Sequence, residues 1–201
     1  MKNILFNQRE ERDRLLANSY LPRQLAYDLD EILSSKLIKL ITGPRRAGKS
    51  TQALLMLRGK NFAYLNFDDD MLLTNWDEEK VMSMLDVVYP NYEYLLLDEV
   101  QNLDKWDLWV SKLYRNGLNL VVPGSNAKLL SSEMATVLTG RYIQVQMYPF
   151  SLSETLRWNK ENRLDTTIDI DAVEDDYLHN GGYPETLSMR SITGSYLGTL
   201  F

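Results

Sequence analysis

The sequence predicts a three-layer α/β fold, a parallel sheet between helices with a helical lid at its C-terminal end. Three observations carry that prediction. Short apolar runs of strand length alternate with segments of helical periodicity, which implies parallel strands joined by crossover helices. A glycine-rich loop stands between the first such run and the helix that follows it. After Pro149 the strand pattern stops and the remaining segments read as helical. The chain is therefore divided into a core, residues 1–148 with a helical lead-in, and a helical segment, residues 149–201.

The elements follow in order. Leu37–Thr42 reads as a short, largely buried strand, and Ser50–Leu57 as a helix ended by Gly59. Phe62–Phe67 is a second strand. Asn75 with Glu78 resembles a capped helix start, and that helix runs toward Asp86. Tyr94–Leu97 is the third and most apolar strand. Trp106, Trp109, Val110, Leu113 and Tyr114 fall on one face of a helix closed by Gly117, so the two tryptophans read as core. Leu118–Val122 is the fourth strand, and Tyr142–Met147 alternates as a half-exposed strand does. Ser151 with Glu154 forms a capping box that opens a helix to Trp158. Further helices span Asp171–His179 and run from Ser191 onward. His179, the only histidine, stands before the helix-ending Asn180-Gly181-Gly182 and reads as C-terminal capping. The last residues, Tyr196 to Phe201, continue an apolar pattern, as a truncated domain or a partner-facing surface would.

Bulk properties exclude several classes. The 201 residues carry a net charge of −6, with 44% hydrophobic and 25% charged residues, ordinary for a globular protein. An acidic balance gives no general attraction to nucleic acid or anionic lipid. The chain has no cysteine, hence no disulfides and no cysteine zinc site, which fits a reducing, cytoplasmic setting. No apolar run is long enough to span a bilayer, and Met1–Arg14 lacks the apolar core of a secretory signal.

Gly43-Pro44-Arg45-Arg46-Ala47-Gly48-Lys49-Ser50 fits G-x-x-x-x-G-K-[ST] between a strand and a helix. Glycines let backbone N–H groups turn toward phosphate oxygens, and the helix aims its positive end at the same anion. In this reading Lys49 contacts the β- and γ-phosphates of ATP, Ser50 ligates Mg²⁺, and Thr51 adds a bond near the α-phosphate. Arg45 and Arg46 read either as further phosphate-loop contacts or as solvent-facing cations.

Tyr94-Leu95-Leu96-Leu97-Asp98-Glu99 is a buried strand ending in two carboxylates. Beside a phosphate loop, Asp98 reads as the Mg²⁺ carboxylate and Glu99 as the general base that activates water. This chemistry needs both at a strand's carboxyl end, where ligands bind in parallel sheets. A Glu after the Asp also implies an extra strand between the two motif strands, and Phe62–Phe67 is taken for it.

Three weaker features have two readings each. Asp68-Asp69-Asp70 is either near the active edge or a solvated acidic loop. Ser125 or Asn126 senses the γ-phosphate, or Gly124-Ser125-Asn126 is a plain turn. Arg141 senses or neutralises transition-state charge, in cis or across a subunit boundary, or makes a surface ion pair.

The runs GPRRAGKST, LLLDEVQN, GSNAKLL, LTGRY, YPFSLSE and GGYPE occur here in order, from Gly43 to Glu185. Together they resemble the prokaryotic AAA-type ATP-binding proteins distantly related to the archaeal ATPase and STAND groups, over roughly Leu21–Phe201. The resemblance implies an ASCE-type P-loop NTPase domain with a helical lid. Lys49, Ser50, Asp98 and Glu99 match the nucleotide and Mg²⁺ positions, and Arg141 matches a recurrent Arg. It also implies a winged-helix-like continuation, which residues 149–201 would begin, and a nuclease-like C-terminal domain. Pro123 departs from the Thr often found there, which moves any sensor role to Ser125 or Asn126.

The expected function is a Mg²⁺-dependent ATPase acting as motor or switch. The alternative is a nucleotide-gated module with little turnover, DNA-associated when full length, its partner a protein or the absent C-terminal domain.

Overall fold

The computed structural model describes residues 1–125, 137–162, 169–188 and 193–198. Five parallel strands form one sheet: β1 (Ile38–Gly43), β2 (Phe62–Asn66), β3 (Tyr94–Asp98), β4 (Leu120–Ser125) and β5 (Tyr142–Gln146). Their order is β2-β3-β4-β1-β5. The helices flanking the sheet include α1 (Lys2–Ala17), α2 (Leu29–Ser34), α3 (Lys49–Met56), α4 (Asp70–Thr74), α5 (Glu78–Val88) and α6 (Trp106–Arg115). Beyond Pro149 the described elements are helical: α7 (Leu152–Asn162), α8 (Ile170–Asn180), α9 (Pro184–Ser188) and α10 (Thr193–Leu197). The α/β class and the parallel sheet are as the alternation predicts.

The core is continuous through the sheet. Every residue of β1 is buried, and so are Leu95, Leu96 and Leu97 of β3 and Leu120, Val121 and Val122 of β4. Strands covered on both faces carry near-continuous apolar runs because neither side meets water. Each such Leu or Val contributes about 1.5–3 kcal/mol through burial. Phe67, Trp76 and Trp109 pack ring against ring at 5.0–5.8 Å between centroids, so Trp109 is a core residue as its spacing predicts.

Several expectations change. The strand between the two motif strands is β4, whereas β2 lies beyond β3 at the edge of the sheet. Sequence order does not reveal which crossover passes over which strand. Helix α5 is capped by Asp77, whose side chain accepts from Lys80 N–H, and Asn75 instead ends α4. Helix α4 is itself unforeseen: Asp69 caps it and Asp70 lies in its first turn. Strand β4 runs on through Pro123 to Ser125, so Ser125 belongs to a strand and not to a turn. Its ladder to β3 is registered at Leu120 and Val121 and ends before Pro123, which has no N–H to give.

Helix α1 seals the β2 edge by a means absent from any local pattern. Gln8, buried, donates through Nε2 to Asn66 O and accepts from Asn66 N–H, each at 3.0 Å. Its amide thus stands in for a neighbouring strand. Arg12 donates to Phe62 O and lies over the rings of Phe62 and Tyr89. Contacts of this kind cover part of the edge against pairing with another chain.

Candidate functional site

The carboxyl ends of β1, β3 and β4 open into a cavity of about 760 Å³. The loop after β1 forms its floor. Gly43 has φ +152°, and a Cβ there would lie 2.3 Å from Met147 O, so a residue with a side chain does not fit. Helix α3 then begins at Lys49 without a side-chain cap. The first N–H groups of a helix have no partner within it, so this end presents donors and the positive end of the helix dipole. Lys49 Nζ donates to Pro44 O at 2.7 Å, folding back over the loop.

Asp98, at the end of β3, is 7% exposed. Ser50 Oγ donates to its Oδ1 at 2.8 Å, which joins the two sequence motifs directly. Burial pushes the Asp98 carboxyl up to about 7, the Ser50 bond opposes this, and nearby Glu99 and Asp68 add to it. Among the described residues no Lys, Arg or His forms an ion pair with Asp98. A buried carboxylate beside a hydroxyl, lacking a cation, fits a divalent metal ion that would lower the cost of its charge. The residues present therefore fit Mg²⁺. Lys49 is held below its usual value by burial, although Glu99 and Asp98 oppose the effect.

Glu99 lines the cavity with its backbone in the left-handed region, φ +51°. Such a backbone is uncommon for a residue with a side chain. Gln101 Nε2 donates to Glu99 Oε2. Gln101, on the 3₁₀ turn Val100–Asn102, also lines the cavity; it stands within the run LLLDEVQN, but the sequence reading gave it no role.

The remaining candidates divide. Arg45, Arg46, Gly48, Thr51 and Ser125 line the cavity with Lys49 and Ser50, and Ser125 is in register with Gly43. Ala47 is buried beneath the loop. Asp68 also lines the cavity and accepts from Asn102 Nδ2 at 2.8 Å, while Asp69 and Asp70 serve α4. Asn126 lies outside the described residues. Arg141 is not brought to the cavity. Its Nη1 donates to Ser111 Oγ at 2.9 Å and Val137 O at 3.2 Å, beside a second hollow along α6. His179 bonds through Nδ1 with Asp175 O at 2.7 Å in the last turn of α8, a capping contact remote from the cavity.

The opposite wall comes from segments far away in sequence. Tyr20 and Leu21, before the core, and Phe150, Pro184 and Glu185, after it, line the cavity with Leu55 of α3. The capping box at α7 is formed: Glu154 N–H donates to Ser151 Oγ, and Ser151 N–H donates to Glu154 Oε2. The same carboxylate receives Arg23 Nε at 2.9 Å and Gln24 N–H at 2.7 Å. Burial alone raises Glu154, but the bonds from Arg23, Ser151 and Gln24 outweigh it and hold the carboxyl below its usual value. Arg23 also donates to Ala47 O within the phosphate loop.

A family model described as an AAA domain matches residues 35–156. An uncharacterised protein of Methanocaldococcus jannaschii is 33% identical over 168 residues, covering 79% of this chain and 38% of its own length. An uncharacterised protein of Haemophilus influenzae is 31% identical over 176 residues, covering 79% of this chain and 42% of its own. The chain thus spans less than half the length of these relatives. In fold it is similar to AMPPCP-bound DnaA from Aquifex aeolicus, with TM-score 0.56, 17% identity, and 82% of this chain and 57% of that one covered. It is equally similar to the Walker-type ATPase PABY2304 of Pyrococcus abyssi, with TM-score 0.55, 17% identity, and coverage of 89% and 65%.

Proposed function

The chain belongs to the AAA domain family, and on that premise we propose that it binds ATP with Mg²⁺ and hydrolyses it to ADP and phosphate. The observation that carries this reading is the bond from Ser50 Oγ to Asp98 Oδ1 with Glu99 next in the chain and facing the same cavity. A nucleotide-binding loop, a metal carboxylate and a candidate base meet at one point.

Lys49 and the N–H groups at the start of α3 bind the phosphates. Ser50 and Asp98 hold the Mg²⁺, which supplies positive charge to the phosphate oxygens. Glu99 takes a proton from the attacking water as the new O–P bond forms. The bond from the γ-phosphorus to the bridging oxygen breaks, and ADP leaves with that oxygen. Gln101 holds the Glu99 carboxylate by its amide. Ser125, which lines the cavity at the end of β4, contacts the γ-phosphate. Tyr20, Leu21, Leu55 and Pro184 offer an apolar slot for the base.

A second reading, a nucleotide-held switch with little turnover, is favoured by the position of Arg141. Within one chain it does not reach the cavity, so its charge acts on the phosphates only if another copy supplies it. DNA association and partner domains belong to the whole protein and rest on resemblance alone.

The test compares ATP binding and phosphate release for the unaltered chain, Lys49→Ala and Glu99→Gln. Lys49→Ala loses binding. Glu99→Gln keeps binding and loses about 10²–10⁴-fold in turnover. Turnover unchanged in Glu99→Gln refutes the base assignment. Tight binding without turnover in the unaltered chain selects the switch reading.

A further inference from the structure

We propose that Arg23 makes the position of the helical segment after residue 149 depend on nucleotide in the phosphate loop. The inference rests on reading the cavity as a nucleotide site. Arg23 lies in the segment before the core, and its side chain is 8% exposed. Its guanidinium donates in three directions. Nη1 reaches Ala47 O at 3.0 Å, inside the loop. Nη2 reaches Tyr148 O at 2.7 Å, where the chain leaves the sheet. Nε reaches Glu154 Oε1 at 2.9 Å, on the first turn of α7. The Phe150 ring lies 4.7 Å below the guanidinium carbon.

A planar fork with fixed donors joins three segments at once, and an ammonium on a flexible stem does not. The far side of this joint is equally tight. Phe150 N–H donates to Gly182 O at 2.6 Å, and Tyr177 OH donates to Phe150 O at 3.1 Å. A Cβ on Gly182 would lie 1.9 Å from Phe150 O. Helices α8 and α9 are thereby tied to residues 148–154. A shift of the Ala47 carbonyl, as the loop closes on phosphate, must move the guanidinium or break its bond. Either event is passed to the helical segment. Arg23 also lines the cavity, and its Nε, Nη1 and Nη2 each donate to a protein oxygen, so it acts here as a positioning residue.

The chain has no cysteine, so labels can be placed at will. Val87→Cys on the core and Leu178→Cys on α8, both exposed, carry a donor–acceptor dye pair. ADP with Mg²⁺ is titrated while energy transfer is read, and binding is measured separately by calorimetry. The parent changes transfer on saturation. Arg23→Lys still saturates with ADP, its affinity read by the calorimetry. At saturation it shows less than a third of the parent's change, and Glu154→Gln is similarly blunted. A purely structural role lowers stability without altering the saturated change. Should Arg23→Lys fail to fold by circular dichroism, Glu154→Gln decides. Full amplitude in the folded variants overturns the inference. ADP binding by the parent with no change in transfer also overturns it and leaves the site standing. No ADP binding by the parent overturns the nucleotide reading itself.

Discussion

Lys39→Met in β1 has a stability effect whose dependence on pH follows from the structure. Lys39 has no exposed surface, and its Nζ donates to Ser35 O and Asn119 Oδ1. Burial, assisted by Lys36, pushes its ammonium down from 10.5 to about 8. Between those values the unfolded chain holds the proton more often than the folded chain does. The group's contribution is therefore fully present above 10.5 and is lost as pH falls through about 8. At neutral pH the loss is about 3 kcal/mol, since each tenfold weakening of proton affinity on folding is worth about 1.4 kcal/mol. Methionine has a similar reach and no charge, so it removes this loss. It also leaves the oxygens of Ser35 and Asn119 without their donor, at about 1–3 kcal/mol that does not vary with pH. At pH 7 the two effects nearly cancel. At pH 10, just below the unfolded value, most of the first effect has gone, and the parent becomes the more stable chain. The stability difference between parent and variant thus moves by about 2–3 kcal/mol between pH 7 and pH 10. Urea unfolding of both chains at pH 7, 8.5 and 10 measures it, and subtraction removes groups common to both. A difference constant with pH refutes the reasoning.

Other outcomes follow from single contacts. Gln8→Ala removes both bonds to the Asn66 backbone and lowers stability by about 1–3 kcal/mol in urea unfolding, with ADP affinity unchanged. Gly182→Ala drives a Cβ into Phe150 O and costs more than about 1 kcal/mol. Limited proteolysis then shows cleavage after residue 149 at lower protease concentration, with the core fragment surviving. Ser50→Ala retains ATP binding in EDTA but gains about tenfold less from added Mg²⁺ than the parent, read by calorimetry.

The fold class was legible because its signals are local. Four strands of the sheet hold short apolar runs and β5 alternates, and the loop Gly43–Ser50 gathers its glycines, Lys49 and Ser50 within eight residues. The pair Asp98 and Glu99 was legible for the same reason, since an apolar strand ending in carboxylates is a pattern of adjacent residues. Ser50 and Asp98, 48 residues apart, were each assigned to Mg²⁺ from the chemistry of phosphate loops, and the direct hydrogen bond between them is something the structure adds. Arg141 shows the limit of such inference. Its residue type suited a role at the phosphates, but the start of β5 holds it beside Ser111 and away from the cavity.

Tertiary structure alone decided the rest. Gln8 and Asn66 lie 58 residues apart, and Arg23 and Glu154 lie 131 apart. No periodicity relates such positions, because their meeting depends on how crossover helices and linkers pack over the sheet. The placement of β4 between β1 and β3 is of the same kind. Arg23 had no local mark of importance, and Glu154 read only as half of a capping box. Their roles exist once folding buries both beside Ala47, where low exposure makes each charge depend on its partner. The amino-acid sequence by itself determined the phosphate loop, the carboxylate pair and the α/β class, whose causes act between near neighbours. The wall that faces the loop, and the joint that ties it there, come from burial of groups the chain holds far apart.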